Sequence, residues 1–397
     1  MKKRLAVIGA GSGGIQTVCH FLSWLDNSWS ITSIHDPSVP ILGIGESTNP
    51  TFTNALEYGL DFHIIEDLNA LDATLKFGTK YINWRSHEFT IPLISGTVAI
   101  HFDTHKLKNF AFDRLHRIWG DKFKEVQGNV YTVYNQSNNV VVGVNDQHLV
   151  FDYVIDCRGF PKSYDNYTVF DNNPVNHGLI TNIKTTSSSD WKYTHHTATQ
   201  DGWMFSLPLQ SRDSYGYMFN NKITDVETAK VNFANELKVP LDWLEDKEYK
   251  FKSYYCNKII DGRIIKNGNS AVFFEPMFAN SLWLYDQVNR IAHDYIDNRC
   301  ARTDYNERFR LTAQGIYDTI CFFYHGGSEY DTPFWRYAKE YSSDIVAKSK
   351  GLERAKEHCR DKWRRQIHDI RAPWSFDTKS LFKIDAHLGY NYFTMED

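Results

Sequence analysis

The tightest constraint on this chain lies at its start. Leu5-Ala-Val-Ile-Gly-Ala-Gly-Ser-Gly-Gly14 runs four apolar residues straight into Gly9-x-Gly11-x-x-Gly14. Ile15, Val18, Cys19 and Leu22 then recur at i, i+3, i+4 and i+7, one face of a helix. Buried strand, glycine turn and helix together form the entry to a βαβ nucleotide-binding unit. In such a unit Gly9 makes the tight turn, Gly11 lets the backbone approach a pyrophosphate, and Gly14 lets the helix pack on the strand. The helix N-terminus offers the phosphates free N–H groups and a partial positive charge. Trp29 to Ile34 reads as the second strand and leads into His35-Asp36. Dinucleotide folds place an acidic residue on a ribose hydroxyl about 20 residues past the glycines, which makes Asp36 the candidate. The competing reading is a turn aspartate before Pro37.

A chain of 397 residues can bury a large core and divide into two or three domains. A net charge of −4 excludes any bulk attraction to nucleic acid. The six cysteines, at 19, 157, 256, 300, 321 and 359, form no Cys-x-x-Cys pair, so neither a zinc knuckle nor a thioredoxin-type site is expected, and no other metal site is assigned. They fit a reducing, cytoplasmic setting. Met1-Lys-Lys-Arg passes into the first strand without an apolar leader, and no apolar run approaches the ~18 residues a membrane span needs. Asn49-Pro50 reads as an N-cap and first-turn pair opening a helix. The preceding Gly43-Ile-Gly-Glu46 lets backbone crowd a ligand, with Glu46 available for hydrogen bonding. From Thr186 to about Lys250 the chain is rich in Thr, Ser and Tyr, and Tyr215 to Phe219 reads as strand. Helical patterns dominate from Trp283 onward. Residues 336–371 carry eleven Lys/Arg against six Asp/Glu with apolar residues between, an amphipathic helix with a solvated face in preference to a nucleic-acid surface.

Eight segments, in order, resemble those of the flavin-dependent halogenases of the tryptophan-halogenase family. Besides the glycine turn, Gly43-Ile-Gly-Glu-Ser-Thr-Asn-Pro50 resembles GVGEATIP. Leu75-Lys76-Phe77 with Lys80-Tyr-Ile-Asn-Trp84 resembles Phe-Lys … Lys-Phe-x-Asn-Trp. Ile100-His-Phe-Asp103 resembles Tyr-His-Phe-Asp, and Asp152-Tyr-Val-Ile-Asp-Cys-Arg-Gly-Phe160 resembles Asp-x-x-Ile-Asp-Cys-Ser-Gly-Phe. Trp203-Met-Phe-Ser-Leu-Pro208, with Tyr215-Gly-Tyr217 after it, resembles Trp-x-Trp-x-Ile-Pro. Phe273-Phe-Glu-Pro-Met277 resembles Gly-Phe-x-Glu-Pro-Leu, and Asp331-Thr-Pro-Phe-Trp335 resembles Asp-Asp-Thr-Pro-Phe-Trp. The fit is that of a compact, phage-type member.

The resemblance implies an α/β fold: a Rossmann-type FAD-binding domain in two parts (1–165 and 255–300), an inserted β-rich substrate domain (166–254) and a helical C-terminal region (301–397). It implies oxygen- and FADH2-dependent halogenation of a small electron-rich aromatic compound, with a separate flavin reductase as partner, no nucleic acid and no membrane. A homo-oligomer stays open. In the family, hypohalous acid made at the flavin travels to a lysine beside the substrate, here Lys76. Gly9, Ala10, Gly11, Gly13, Gly14, Asp36, Glu46 and Leu282 become FAD contacts. Trp203, Phe205, Leu207 and Pro208 become the wall between flavin and substrate. The family's Leu-Glu-Ser-Thr-Gly run maps onto Met277-Phe-Ala-Asn-Ser281, so the halide cradle falls on the backbone of Asn280 and Ser281. Phe278, in the substrate pocket, stands where the family has the lysine's glutamate partner. That exchange and the shorter C-terminal part imply a more open, more apolar site, with free tryptophan disfavoured as substrate.

Three other readings are carried forward. A flavin-dependent aromatic hydroxylase shares the nucleotide motifs and would add oxygen instead of halogen. A flavin fold kept only for binding would show neither product. A metal enzyme could use His101-x-Asp103-x-His105, which on a strand would put two histidines and a carboxylate on one face. His195 and His196 are adjacent, so on a strand they point to opposite faces and cannot share an ion.

Overall fold

The structure, a computed structural model, describes residues 2–41, 46–94, 96–184, 192–245, 247–299, 304–365 and 378–393. The first half begins with β1 (Lys3–Ile8), α1 (Ser12–Trp24), β2 (Trp29–His35), β3 (Glu46–Ser47) and α2 (Pro50–Leu60). Next come β4 (Thr74–Lys76), β5 (Gly78–Ile82), β6 (Phe89–Pro92), β7 (Ala99–Phe102), α3 (Thr104–Trp119) and β8 (Phe123–Gln127). A meander of β9 (Val130–Asn135), β10 (Val140–Val144) and β11 (Gln147–Phe151) leads into β12 (Tyr153–Asp156). The second half opens with β13 (Tyr167–Phe170), β14 (His177–Lys184), β15 (Tyr193–Thr199), β16 (Gly202–Pro208) and β17 (Arg212–Phe219). It continues through α4 (Val226–Leu237), β18 (Lys247–Lys250), β19 (Ser253–Cys256), β20 (Ile260–Asp261), β21 (Ile264–Lys266) and β22 (Val272–Phe273). It closes with helices α5 (Asn280–Ile296), α6 (Tyr305–Tyr324), α7 (Pro333–Lys348), α8 (Lys350–Arg365) and α9 (Thr378–Leu388).

Two sheets organise these elements. The nucleotide sheet runs β20-β21-β12-β1-β2-β8, and β21, β12, β1, β2 and β8 are parallel. After the exposed Lys3 and Arg4, its central strand is continuously apolar because both faces are covered: Leu5, Ala6, Val7 and Ile8 are all buried. The helical spacing after Gly14 becomes α1, as the sequence pattern requires, with Ile15, Val18, Cys19 and Leu22 in the core. Asn49 caps α2 through its side chain, accepting from the N–H groups of Thr51 and Phe52, and Pro50 occupies the first turn.

The second sheet runs β18-β14-β17-β16-β15-β5-β6. All its pairings are antiparallel except β15 with β5. It draws on residues 78–92 as well as on the β-rich stretch expected near 166–254, so its strands are not contiguous in the chain. Residues 185–191 of that stretch lie outside the described residues. On β16, Trp203, Phe205 and Leu207 share one face and enter the main core. Met204 faces the other way, into a smaller core with Leu179, Tyr217, Phe219 and Phe233 that α4 covers. The C-terminal region is helical, as expected. Residues 366–371 of the basic stretch lie outside the described residues. Among the described residues no helix is long and apolar enough to cross a membrane.

A third, small sheet of β3, β7 and β4 joins the two large ones. Its registers pair Ser47 with His101, Glu46 with Phe102, and Thr74 with His101. Strand side chains alternate, so Ser47, His101, Thr74 and Lys76 share one face and Glu46 takes the other.

Candidate active site

The nucleotide end is built from backbone. Gly9 has φ of +107°, and a Cβ there would lie 2.8 Å from the Cys157 carbonyl oxygen. A Cβ on Gly14 would lie 2.1 Å from the Gly9 carbonyl oxygen, so α1 packs directly on the turn. Around Gly11 nothing lies within 4 Å of an added Cβ, which leaves open the approach a pyrophosphate needs. Gly11 caps α1 with no side-chain hydrogen bond and no acidic residue stands in the first turn, so the helix N–H groups are available to an anion. Ser12 Oγ donates to Glu46 Oε1 at 2.6 Å, and burial pushes the Glu46 carboxyl up to about 7. Asp36 stands at the end of β2, where its Oδ1 accepts from Ser38 N at 2.8 Å and Ser38 Oγ at 2.6 Å. The turn reading of Asp36 is therefore realised, and Oδ2 takes no part in that turn. Gly43 and Gly45 lie outside the described residues.

A second helix terminus faces this one. Tyr285 of α5 lies against Gly13, where a Cβ would meet its ring at 2.9 Å. The α5 cap, Ala279, is left-handed (φ 53°), as is Phe278 before it (φ 65°), and no side chain caps the helix. The first-turn N–H groups around Asn280, Ser281 and Leu282 thus have no partner within the helix. Asn280 is buried, with Nδ2 donating to the carbonyls of Glu275 and Met277 at 3.0 and 2.7 Å. These residues fit a dinucleotide cofactor with an anion beside it: two uncapped helix ends, an open glycine and an enclosed carboxyl.

On the opposite face of the small sheet lies Lys76. It is 3% exposed and takes part in no ion pair among the described residues. Its Nζ donates to Ser47 Oγ at 2.7 Å and to the Thr48 carbonyl at 2.8 Å. Burial, with no carboxylate to offset it, pushes the ammonium down to about 7. Ser47 Oγ lies 2.7 Å from Thr194 Oγ1, which lies 2.8 Å from His101 Nε2. His101 Nδ1 lies 3.1 Å from Thr74 Oγ1, and Thr74 donates to the Pro208 carbonyl at 2.7 Å. His196 pairs opposite Phe205, and Thr194, two residues before it on β15, shares its face, so Phe205 of β16 and the lysine cluster lie on one sheet face. Phe278 closes the aromatic side, its ring 4.2 Å from Phe323 and 6.5 Å from His196.

Sequence reasoning singled out Lys76, Glu46 and the wall, but not Ser47, Thr74 or Thr194, and it weighed His196 only as a metal ligand. The place of the glutamate that the resemblance expects at position 278 is not taken by Glu275. That carboxyl is buried and pushed up to about 7, but it accepts from Tyr324 Oη at 2.6 Å and Asn173 Nδ2 at 2.8 Å, facing α6. The metal reading of His101, Asp103 and His105 fails. The strand ends at Phe102, and Asp103 caps α3 by accepting from His105 N, which turns His105 onto a helix. Asp103 also pairs with Arg212 at 2.9 Å. Among the described residues no group of three or more ligating side chains could hold a metal ion. His195 and His196 alternate across β15 as expected.

Burying Lys76 uncompensated costs stability. Its folded pKa is about 7 against the ordinary 10.5, so unfolding takes up a proton between those values and stability rises with pH across that window. Lys76→Met is therefore expected to stabilise the protein at pH 7. The gain is up to ~4 kcal/mol from the ionisation alone, less ~1–2 for the acceptors left unpaired. It fades toward pH 10.5. Thermal unfolding of both proteins at pH 7 and pH 10 checks this; an equal difference at the two values would contradict it.

Together, the parallel nucleotide sheet, the glycine turn and the two open helix ends define an α/β protein built to bind a dinucleotide, here with a buried lysine on the opposite face of the small sheet from Glu46. More narrowly, the chain belongs to the tryptophan halogenase family, whose model matches residues 4–126 and 92–366. Members are flavin-dependent halogenases, using FADH2, oxygen and halide. The chain is 19% identical over 422 residues to a tryptophan 6-halogenase of Streptomyces albogriseolus, covering 85% of this chain and 79% of that protein. It is 20% identical over 425 residues to a tryptophan 7-halogenase of Lentzea aerocolonigenes, with the same coverage. The fold matches a tryptophan halogenase from Shewanella frigidimarina with a TM-score of 0.80 at 18% identity, over 98% of this chain and 89% of that one. A flavin-dependent halogenase from Xanthomonas campestris matches equally, at 0.80 and 17% over the same shares.

Proposed function

We propose that this protein halogenates a small electron-rich aromatic compound by electrophilic substitution, with Lys76 as the residue that delivers the halogen. Bound reduced FAD, with oxygen, supplies the oxidising equivalents that convert halide to hypohalous acid. The chain's own residues do the rest. The α1 turn at Gly9, Ala10, Gly11, Gly13 and Gly14, with Asp36, Glu46 and Leu282, binds the dinucleotide. The backbone of Asn280 and Ser281 holds the halide. Trp203, Phe205, Leu207 and Pro208 keep the aromatic substrate away from the flavin, and Phe278 lines its pocket.

The observation that carries this reading is the position of Lys76: buried, with no counter-ion among the described residues, on the opposite face of the small sheet from Glu46. An amine near neutrality can donate to hypohalous acid as ammonium, or take the halogen as a free base. Of the relatives named above, the Streptomyces, Lentzea and Shewanella proteins are tryptophan halogenases. For this chain the reading is the wider class of phenols, indoles and related rings, supported by the aromatic contact of Phe278 with Phe323. A separate reductase supplies FADH2. The division at residues 165, 254 and 300 and a cytoplasmic setting belong to the same reading, the latter supported by free thiols at Cys19, Cys157, Cys256 and Cys321.

The test is product mass. Aromatic compounds of these classes are incubated with the enzyme, FAD, a flavin reductase, NADH, oxygen and each halide in turn, with catalase present. A halogen isotope pattern or an iodine mass shift supports the reading. One added oxygen and no halogen would make the protein a hydroxylase, and FAD binding with neither product would leave a binding protein.

A further inference from the structure

The polar cluster behind Lys76 has a direction. Thr74 Oγ1 and the Pro208 carbonyl lie 2.7 Å apart, and only the threonine carries a hydrogen to place between them. Thr74 therefore accepts from His101, which puts the imidazole hydrogen on Nδ1. His101 is fully buried and held neutral, its pKa driven well down by burial and by the nearby Lys76 and His195, so Nε2 is bare. Thr194 Oγ1 must then donate to Nε2, Ser47 Oγ must donate to Thr194, and Ser47 is left able only to accept from Lys76.

We propose that His101 is a positioning residue for Lys76: acting through Thr194 and Ser47, it orients a hydroxyl chain so that no hydroxyl hydrogen reaches the lone pair of the lysine amine. With Ser47 and the Thr48 carbonyl each taking one N–H, the lone pair at the remaining tetrahedral position on Nζ has no hydrogen-bond donor among the described residues. This rests on the reading of Lys76 as the halogen-transfer residue. In the step it serves, the Nζ lone pair attacks the halogen of hypohalous acid, the N–halogen bond forms and the halogen–oxygen bond breaks. The departing hydroxide takes one N–H proton and leaves as water. The ring then takes the halogen from Nζ and loses its own proton, restoring the amine. Were Ser47 turned round, its hydrogen would occupy the lone pair, and breaking that bond would cost about 1.4 kcal/mol, or tenfold in rate. The charged and titratable groups acting on this cluster are Lys76 and histidines: Lys76 lowers the pKa of both His101 on β7 and His196 on β15, and His195, whose side chain takes the other face of β15, adds to the lowering of both. No carboxylate among the described residues contributes to the shift of Lys76, His101 or His196.

Removing the whole buried imidazole risks the fold, so the chain is cut at Thr194. Thr194→Val keeps the shape and removes the hydroxyl; Thr194→Ser keeps the hydroxyl. Rates of arene halogenation are measured from pH 6 to 10 and divided by the hypohalous acid each variant forms, captured by a scavenger. The expected result is that Thr194→Val loses about tenfold in kcat on the alkaline plateau with KM for the arene unchanged, and that Thr194→Ser retains the parent profile. Removing the misdirected donor in Ser47→Ala/Thr194→Val is expected to recover part of the loss. Histidine 15N spectra of the flavin-free protein, assigned by difference against His101→Gln, are expected to show His101 neutral with its hydrogen on Nδ1. Parent kinetics in Thr194→Val, equal losses in Val and Ser, a double variant no faster than Thr194→Val, or hydrogen on Nε2 would each overturn the proposal. Hypohalous acid without any halogenated arene from the parent protein would overturn the role of Lys76 and this inference together, whereas arene product with unchanged variants would remove the inference alone.

Discussion

Lys76→Ala is expected to lower the rate of arene halogenation by at least about a hundredfold, while oxidation of the reduced flavin continues. The expectation follows from the two faces of the small sheet. Glu46 and Ser47 are neighbours on β3, yet Glu46 meets the first residue of α1 and Ser47 meets Lys76. Removing the Lys76 side chain leaves the glycine turn, the α1 N-terminus and Glu46 in place, so the flavin half keeps its parts. What disappears is the group proposed to hold the electrophile next to the ring. Alanine also leaves Ser47 Oγ and the Thr48 carbonyl without their donor, so Lys76→Met is the companion that keeps the volume. Both variants are assayed for halogenated product and for NADH-linked flavin turnover. Equal loss of the two rates would place Lys76 in cofactor chemistry instead.

Gly14→Ala is expected to cost about 3 kcal/mol or more and to abolish FAD binding, whereas Gly11→Ala should fold nearly as well as the parent and lose affinity only for the cofactor. The contrast comes from what each new methyl meets. At Gly14 it would stand 2.1 Å from the Gly9 carbonyl oxygen, so the helix must lift off the turn that sets its position. At Gly11 it meets no protein atom within 4 Å, and the backbone is extended at φ −72°, so alanine fits. Its methyl would instead enter the open space proposed for the pyrophosphate. Thermal unfolding without FAD, followed by FAD titration, separates the two. A Gly11→Ala protein that binds FAD with parent affinity would move the cofactor off this turn.

Much of the nucleotide half was legible because its signals are local. The apolar run of β1, the glycine spacing and the i, i+3, i+4 pattern of α1 lie within 20 residues, and Asn49-Pro50 announces a helix start by itself. The lysine cluster was not legible for the opposite reason. Strands β3, β4 and β7 are two to four residues long, too short for a period-2 pattern to register. Their partners come from distant parts of the chain: Ser47 meets His101 by register and Thr194 from the other sheet. His101, Asp103 and His105 left a metal alternative open for a local reason, since an aspartate after a short strand serves equally well as a helix N-cap and here does so. Ser47 was visible in the sequence as a departure, standing where the GVGEATIP segment it resembles has alanine, but only the register shows what its hydroxyl touches.

The most direct test of the account is whether the oxidant ever leaves the protein. Parent enzyme, FAD, reductase, NADH, oxygen and bromide are combined with an electron-rich arene, with and without an excess of a soluble scavenger of hypohalous acid, and brominated product is measured by mass. If Lys76 delivers the halogen inside the protein, product yield from the parent is little changed by scavenger. Loss of brominated arene from the parent whenever scavenger is present would mean that free hypohalous acid does the work, and would contradict the role given to Lys76.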